Sequence, residues 1–95
     1  MHARVSTYHG DVDRLVEGFQ KTTHLLQELD GFQHAVLLVN REHGRAITLT
    51  MWDSEQARAA SAGRAAHLRE EASQTAGATA GAARDYEVAL EIEAR

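Results

Sequence analysis

Ala35-Val36-Leu37-Leu38-Val39-Asn40-Arg41-Glu42-His43-Gly44-Arg45-Ala46-Ile47-Thr48-Leu49-Thr50-Met51-Trp52-Asp53 decides how this chain folds. Two runs rich in aliphatic and β-branched residues, 35–39 and 45–52, flank a polar break. Asn40 and Gly44 both tolerate a positive φ, so the break reads as a turn and the runs as a hairpin. In the second run Ile47, Leu49 and Met51 share one face, while Ala46, Thr48, Thr50 and Trp52 share the other. The first run is apolar on both faces, the pattern of a strand covered on both sides.

Helical patterns flank the hairpin. Upstream, Val12, Leu15, Val16 and Phe19 recur at helical spacing, and Leu25, Leu26 and Leu29 continue the stripe. A helix from Asp11 to about Leu29 is expected, with Asp11 as its N-cap and Gly31 as a left-handed stop. Phe32 should be buried at the entrance to the next strand. Before this helix, residues 3–9 read as a first strand. Downstream, Asp53 or Ser54 caps a second helix from Glu55 to about Gln74. Its apolar face is expected at Ala59, Ala62, Ala66, Leu68 and Ala72, with Arg69-Glu70-Glu71 solvated. Thr75 to Ala83 reads as a flexible Gly/Ala/Thr loop. Asp85 to Glu93 alternates strictly, with Tyr86, Val88, Leu90 and Ile92 on one side, and reads as the last strand.

Composition narrows the partners. Ninety-five residues fit one domain, 1–95. A net charge of −4 with no basic run argues against nucleic acid. The longest apolar run is five residues, far short of the ~20 a membrane helix needs. Met1-His2-Ala3-Arg4 leads straight into a strand pattern, without the apolar core of a signal peptide. The absence of cysteine excludes thiol catalysis, disulfides and thiolate metal sites, and a cytoplasmic protein is expected. The six histidines show no two-ligand helical spacing, so no metal is expected.

The element order β-α-β-β-α-β is that of a ferredoxin-like α+β fold, with both helices on one face of an antiparallel sheet. The other face would stay apolar. Pairing two such faces in a C2 homodimer is the simplest way to hide it.

Leu29-Asp30-Gly31-Phe32 closing the first helix and Thr50-Met51-Trp52-Asp53-Ser54-Glu55 joining strand to second helix resemble the antibiotic biosynthesis monooxygenase type of dimeric α/β barrel. The likeness covers nearly the whole chain. It implies a cleft between helices and sheet, lined by Trp52. The polyketide oxygenases of that family carry an asparagine four residues before this tryptophan, where this chain has Thr48. The heme degraders carry a histidine nine or ten residues after it, where this chain has Ser61 and Ala62. Their first-strand asparagine falls near Ser6 and Thr7. The resemblance therefore implies a cofactor-independent monooxygenase of an aromatic polyketide or quinol-like substrate, not a heme degrader.

The site expected on this basis has Trp52, His67 and Tyr8 as catalytic candidates, with His67 or Tyr8 as proton acceptor. Thr48, Thr50 and Tyr86 would bind substrate through hydroxyls. The alternative is a non-catalytic homodimeric module binding a small apolar ligand or a partner protein. Asp53 and Ser54 read as helix caps, and Glu87, Glu91 and Glu93 as a solvated row.

Overall fold

The computed structural model describes residues 1–94, except the side chains of Thr23, Ala72, Thr75 and Ala76. Its elements are β1 (His2–His9), α1 (Val12–Gln27), β2 (Phe32–Asn40), β3 (Arg45–Trp52), α2 (Glu55–Ala76) and β4 (Thr79–Glu87). The strands form one antiparallel sheet in the order β2-β3-β1-β4. This is the ferredoxin-like α+β arrangement read from the sequence.

The hairpin forms as its pattern dictates. Gly44 adopts φ 60° in the turn. Asn40 acts differently: it stays at negative φ and its Oδ1 accepts from the His43 N–H at 3.1 Å, closing the turn through its side chain. On β3, Ala46, Thr48 and Trp52 are buried while Ile47 is exposed, so the second of the two faces is the one under the helices.

α1 begins at Asp11, whose carboxylate accepts from the Arg14 N–H at 3.2 Å. Its inner face carries Val12, Leu15 and Thr22, with half-buried Phe19 between them. Leu15 packs with Tyr8 and Ala46 in the core. Gly31 follows at φ 78°, where a Cβ would collide with Ala57 Cβ and meet Asp53 Oδ1 at 2.7 Å. Its carbonyl accepts from the Asp53 N–H at 2.9 Å, so this glycine seats the α1–β2 turn against the start of α2.

Ser54 is the cap of α2, accepting from the Ala57 N–H at 3.1 Å. Leu68 is buried as expected, but the rest of the buried face of α2 is Ser61, Ala65 and Ser73. Ala59 and Ala66 are exposed, Ala62 is half-buried, and Ala72 lies outside the described side chains. Alanine surrounds this helix and marks no side of it. The serines enter the core because their hydroxyls bond back to the carbonyls of Arg58 and Glu70, both at 2.9 Å.

The largest departure is β4. The expected loop is strand: after Gly77 caps α2 at φ 66°, residues 79–87 pair with β1. Gly81 faces Thr7 so closely that a Cβ would strike its Oγ1. The backbone ladder needs no side chains, and small residues admit the close approach. Pairing ends where the Val88 N–H bonds the Met1 carbonyl at 2.9 Å. Leu90 and Ile92, expected in the strand, lie beyond it and are exposed.

Helices cover one side of the sheet. On the other, Leu38, Ile47 and Tyr86 stand exposed; β2, expected to be covered on both sides, is an edge strand in which only Phe32, Val36 and Leu37 are part-buried.

Candidate functional site

A partly enclosed cavity of about 130 Å³ lies between the two helices and the sheet. Phe19 and Leu26 of α1 and Ala65 and Leu68 of α2 form its apolar roof, and Leu37 of β2 one wall. Its polar floor comes from register. Ser6 of β1 pairs with Thr48 of β3, and Arg4 with Thr50. Strand alternation therefore turns Ser6, Thr48 and Thr50 toward the helices together, and all three line the cavity. Arg69, one turn after Ala65 on α2, brings a guanidinium to the rim.

Each hydroxyl is in a different state. Thr22 is spent on its own helix, donating to the carbonyls of Gly18 (3.4 Å) and Phe19 (3.2 Å). Thr50 Oγ1 accepts the Trp52 Nε1–H at 3.1 Å, which leaves the threonine proton free to donate elsewhere. Ser6 Oγ is buried and closes no hydrogen bond of good geometry among the described residues, with the Tyr8 hydroxyl as its polar neighbour.

Trp52 itself is fully buried. It stacks edge-on against Phe32, centroids 5.5 Å apart, and the Arg4 guanidinium sits 6.0 Å from its ring centroid. It does not line the cavity; it stands behind Thr50 and fixes that hydroxyl. Tyr8 is likewise buried, edge-on to Phe19 at 5.2 Å. Its hydroxyl closes no hydrogen bond of good geometry among the described residues, though the Thr48 and Ser6 hydroxyls stand close enough to interact with it. Burial pushes the Tyr8 phenol above its ordinary pKa, against weaker opposing pulls from the nearby Thr48 hydroxyl, Arg69 and Ser6. Such a phenol stays protonated at neutral pH and suits donation, not the proton-acceptor role expected of it.

His67 and Tyr86 lie away from the cavity. His67 points outward from α2, 77% exposed, 4.0 Å from Glu71. Tyr86 is half exposed on the side of the sheet without helices. The expected site residues thus separate into Thr48 and Thr50 on the cavity floor, Trp52 and Tyr8 buried in the surrounding core, and His67 and Tyr86 elsewhere.

Three contributors were missed by sequence reasoning. Ser6 shares its face with Tyr8 by alternation, but polar residues on both faces of β1 hide the signal. Arg69 sits in a charged run that reads as solvated, yet it is half-buried. Arg4 is the third, only 4% exposed. Its Nε donates to Asp85 Oδ1 at 3.3 Å and its Nη2 to the Arg58 carbonyl at 3.0 Å, while Arg58 reaches Asp85 Oδ2 at 2.7 Å. Asp85 thus ties β1, β4 and α2 together. Burial lowers the Arg4 pKa; Asp85 opposes the shift, and Arg69 and Arg58 add to it. Arg4 Nη1 remains buried and unpartnered among the described residues.

The fold is that of the antibiotic biosynthesis monooxygenase domains, as the sequence resemblance implied. The cofactor-independent oxygenase SnoaB of Streptomyces nogalater superposes with a TM-score of 0.75 at 16% identity, over 96% of this chain and 95% of its own. The ActVA-Orf6 monooxygenase of Streptomyces coelicolor, solved with nanaomycin D, gives 0.63 at 22% identity, over 97% and 92%. The heme degrader MhuD of Mycobacterium tuberculosis, solved with two hemes in its active site, gives 0.74 at 21% identity, over 98% and 100%. No family model and no curated protein matches the sequence.

Heme does not suit the residues of this chain. Where a histidine ligand would be expected, Ser61 is buried and bonded to Arg58, and Ala62 carries no ligating atom. A cavity of about 130 Å³ does not seat a porphyrin. Among the described residues no cluster of three or more His, Asp or Glu could hold a metal, and no helix is long and apolar enough to cross a membrane.

Proposed function

We propose that this protein is a cofactor-independent monooxygenase of an electron-rich aromatic, a polyketide or quinol-like substrate. The observation that carries the reading is the cavity: an apolar roof over three hydroxyls, in the fold that SnoaB and ActVA-Orf6 share. The substrate supplies the reducing electrons. Loss of its hydroxyl proton makes a ring carbon nucleophilic, and that carbon forms a C–O bond to dioxygen. The resulting peroxide takes up a proton and its O–O bond breaks with loss of water. A hydroquinone and O2 thus give a hydroxyquinone and H2O, with all atoms and electrons accounted for.

The chain's part is to exclude water and to hold the ionised oxygen. Thr48 and Thr50 donate toward that oxygen, and Trp52 keeps Thr50 oriented for it. Tyr8, protonated, adds its dipole from behind Thr48.

A cytoplasmic homodimer is part of the same proposal, the bare apolar sheet face being covered by a second copy. Oxygen uptake with a panel of hydroquinones and anthrones tests the activity. Consumption above the protein-free rate, matched by hydroxyquinone from the hydroquinones or anthraquinone from the anthrones, without added flavin, metal or heme, is expected. No uptake with any member of the panel overturns the reading.

A further inference from the structure

A buried charge stands behind the cavity floor. Arg4 is 4% exposed, and Thr50 is its register partner across β1 and β3. Two of its nitrogens are committed, Nε to Asp85 and Nη2 to the Arg58 carbonyl. Nη1 is buried and has no hydrogen-bond partner among the described residues. So anchored, the guanidinium lies against the indole of Trp52, its Cζ 6.0 Å from the ring centroid. The indole N–H is donated to Thr50 Oγ1, and Thr50 lines the cavity. Asp85, Arg4, Trp52 and Thr50 therefore form a series from β4 through β1 to β3 that ends on a cavity hydroxyl. A cation over an aromatic face is held by the ring quadrupole, more firmly where water is excluded. It also draws electron density from the ring, which makes the indole N–H a stronger donor. A hydroxyl that accepts a stronger hydrogen bond donates its own proton more strongly in turn.

We propose that Arg4 is a positioning residue for the cavity: its charge fixes the Trp52 indole and strengthens the N–H that holds Thr50, so that the Thr50 proton is left to donate into the cavity. Arg4 itself touches no substrate. Asp85 is the anchor that keeps the guanidinium in place. The Arg58 side chain bonds the other oxygen of Asp85 and serves the docking of α2, outside this series. The catalytic consequence rests on the oxygenase reading; the hold on the indole does not.

Trp52 is the sole tryptophan, so its indole N–H gives a single resonance in a proton–nitrogen correlation spectrum. Arg4→Met should move that resonance upfield. It should also raise indole N–H exchange with solvent, relative to the core backbone amides, by about three- to thirty-fold, the factor a buried cation–π contact supplies. Arg4→Lys, which keeps a cation, should restore part of both. Arg58→Met should leave the resonance in place. With a hydroquinone, Arg4→Met should lower kcat about tenfold and leave KM within about twofold, the split expected of a group whose effect is realised in the transition state. An unmoved indole in Arg4→Met, an exchange gain no larger than that of the core amides, Arg4→Lys no different from Arg4→Met, or an equal response to Arg58→Met each overturns the proposal and reduces Arg4 to packing. A raised KM with kcat intact overturns it as well. Should Arg4→Met fail to fold, Asp85→Asn decides: at this half-exposed position the weakened anchor should move the indole the same way by less, and an unmoved indole overturns the proposal. The two readings fail separately. A wild type that consumes no oxygen with any hydroquinone loses the oxygenase, and the indole response still decides this inference. A wild type that turns over while its indole ignores Arg4 loses this inference alone.

Discussion

Trp52 was the residue most legible in the sequence, being the sole tryptophan and standing where a strand turns into a helix. Its position is as read; its local task is less direct. The indole N–H holds Thr50 Oγ1, so the tryptophan acts on the cavity through a neighbour. Trp52→Phe keeps most of the packing but removes that donor and leaves a void, and should destabilise by about 1–3 kcal/mol in urea unfolding. Tyr8 behaves differently. Its buried hydroxyl closes no well-formed hydrogen bond and only approaches Thr48 and Ser6, so Tyr8→Phe should change stability by less than about 1 kcal/mol. Its pH dependence follows from the raised pKa. The folded state keeps the proton that the unfolded chain loses near pH 10, so wild-type stability falls as pH rises above about 10. Tyr8→Phe should flatten that alkaline decline, measured by unfolding at a series of pH values. Ser6 and Arg69 stayed hidden for physical reasons. A strand with polar residues on both faces shows no inward side, and an arginine followed by two glutamates looks solvated until the helix is docked.

Among the elements, the hairpin and α1 were readable because burial writes a period into them. β4 was not. Its nine residues are exposed throughout and its pairing rests on backbone bonds to β1, which no side-chain pattern announces. The alternation at 85–93 is real, yet pairing with β1 ends at Val88, and the later half has nothing to pair with among the described residues. α2 failed differently, since helix formers with alanine on every side leave its rotation unspecified. The docked helix is held in its rotation by the burial of Ala65 and Leu68 and by the tie of Arg58 and Arg4 to Asp85. Asp85→Ala leaves buried Arg4 without its carboxylate and should cost about 1–3 kcal/mol, less than a fully buried pair because Asp85 is half exposed. Arg4→Met with Asp85→Ala should cost less than the sum of the single changes, a coupling that a double-mutant cycle measures. Gly31→Ala, forced to a positive φ against Ala57, should destabilise by about 1–3 kcal/mol in thermal unfolding.

At the scale of the molecule, two surfaces matter: the bare sheet face and the cavity beneath the helices. The bare face carries Leu38 at 57% and Ile47 at 39% exposure, with Leu90 and Ile92 projecting past β4. A second copy covering that face would hide Leu38 and Ile47. Sedimentation should show a dimer at micromolar concentration, and Ile47→Lys with Leu38→Lys should shift it to monomer. The cavity draws on α1, α2, β1, β2 and β3 together, and the central claim is that oxygenation happens inside it. Ala65 lines the roof, and Ala65→Phe would fill the space a ring needs. The most direct measurement is therefore oxygen consumption with a hydroquinone, wild type against Ala65→Phe, both checked as folded. Turnover by the wild type and background rates for the filled cavity are predicted; equal turnover by the two would place the chemistry elsewhere and contradict the account.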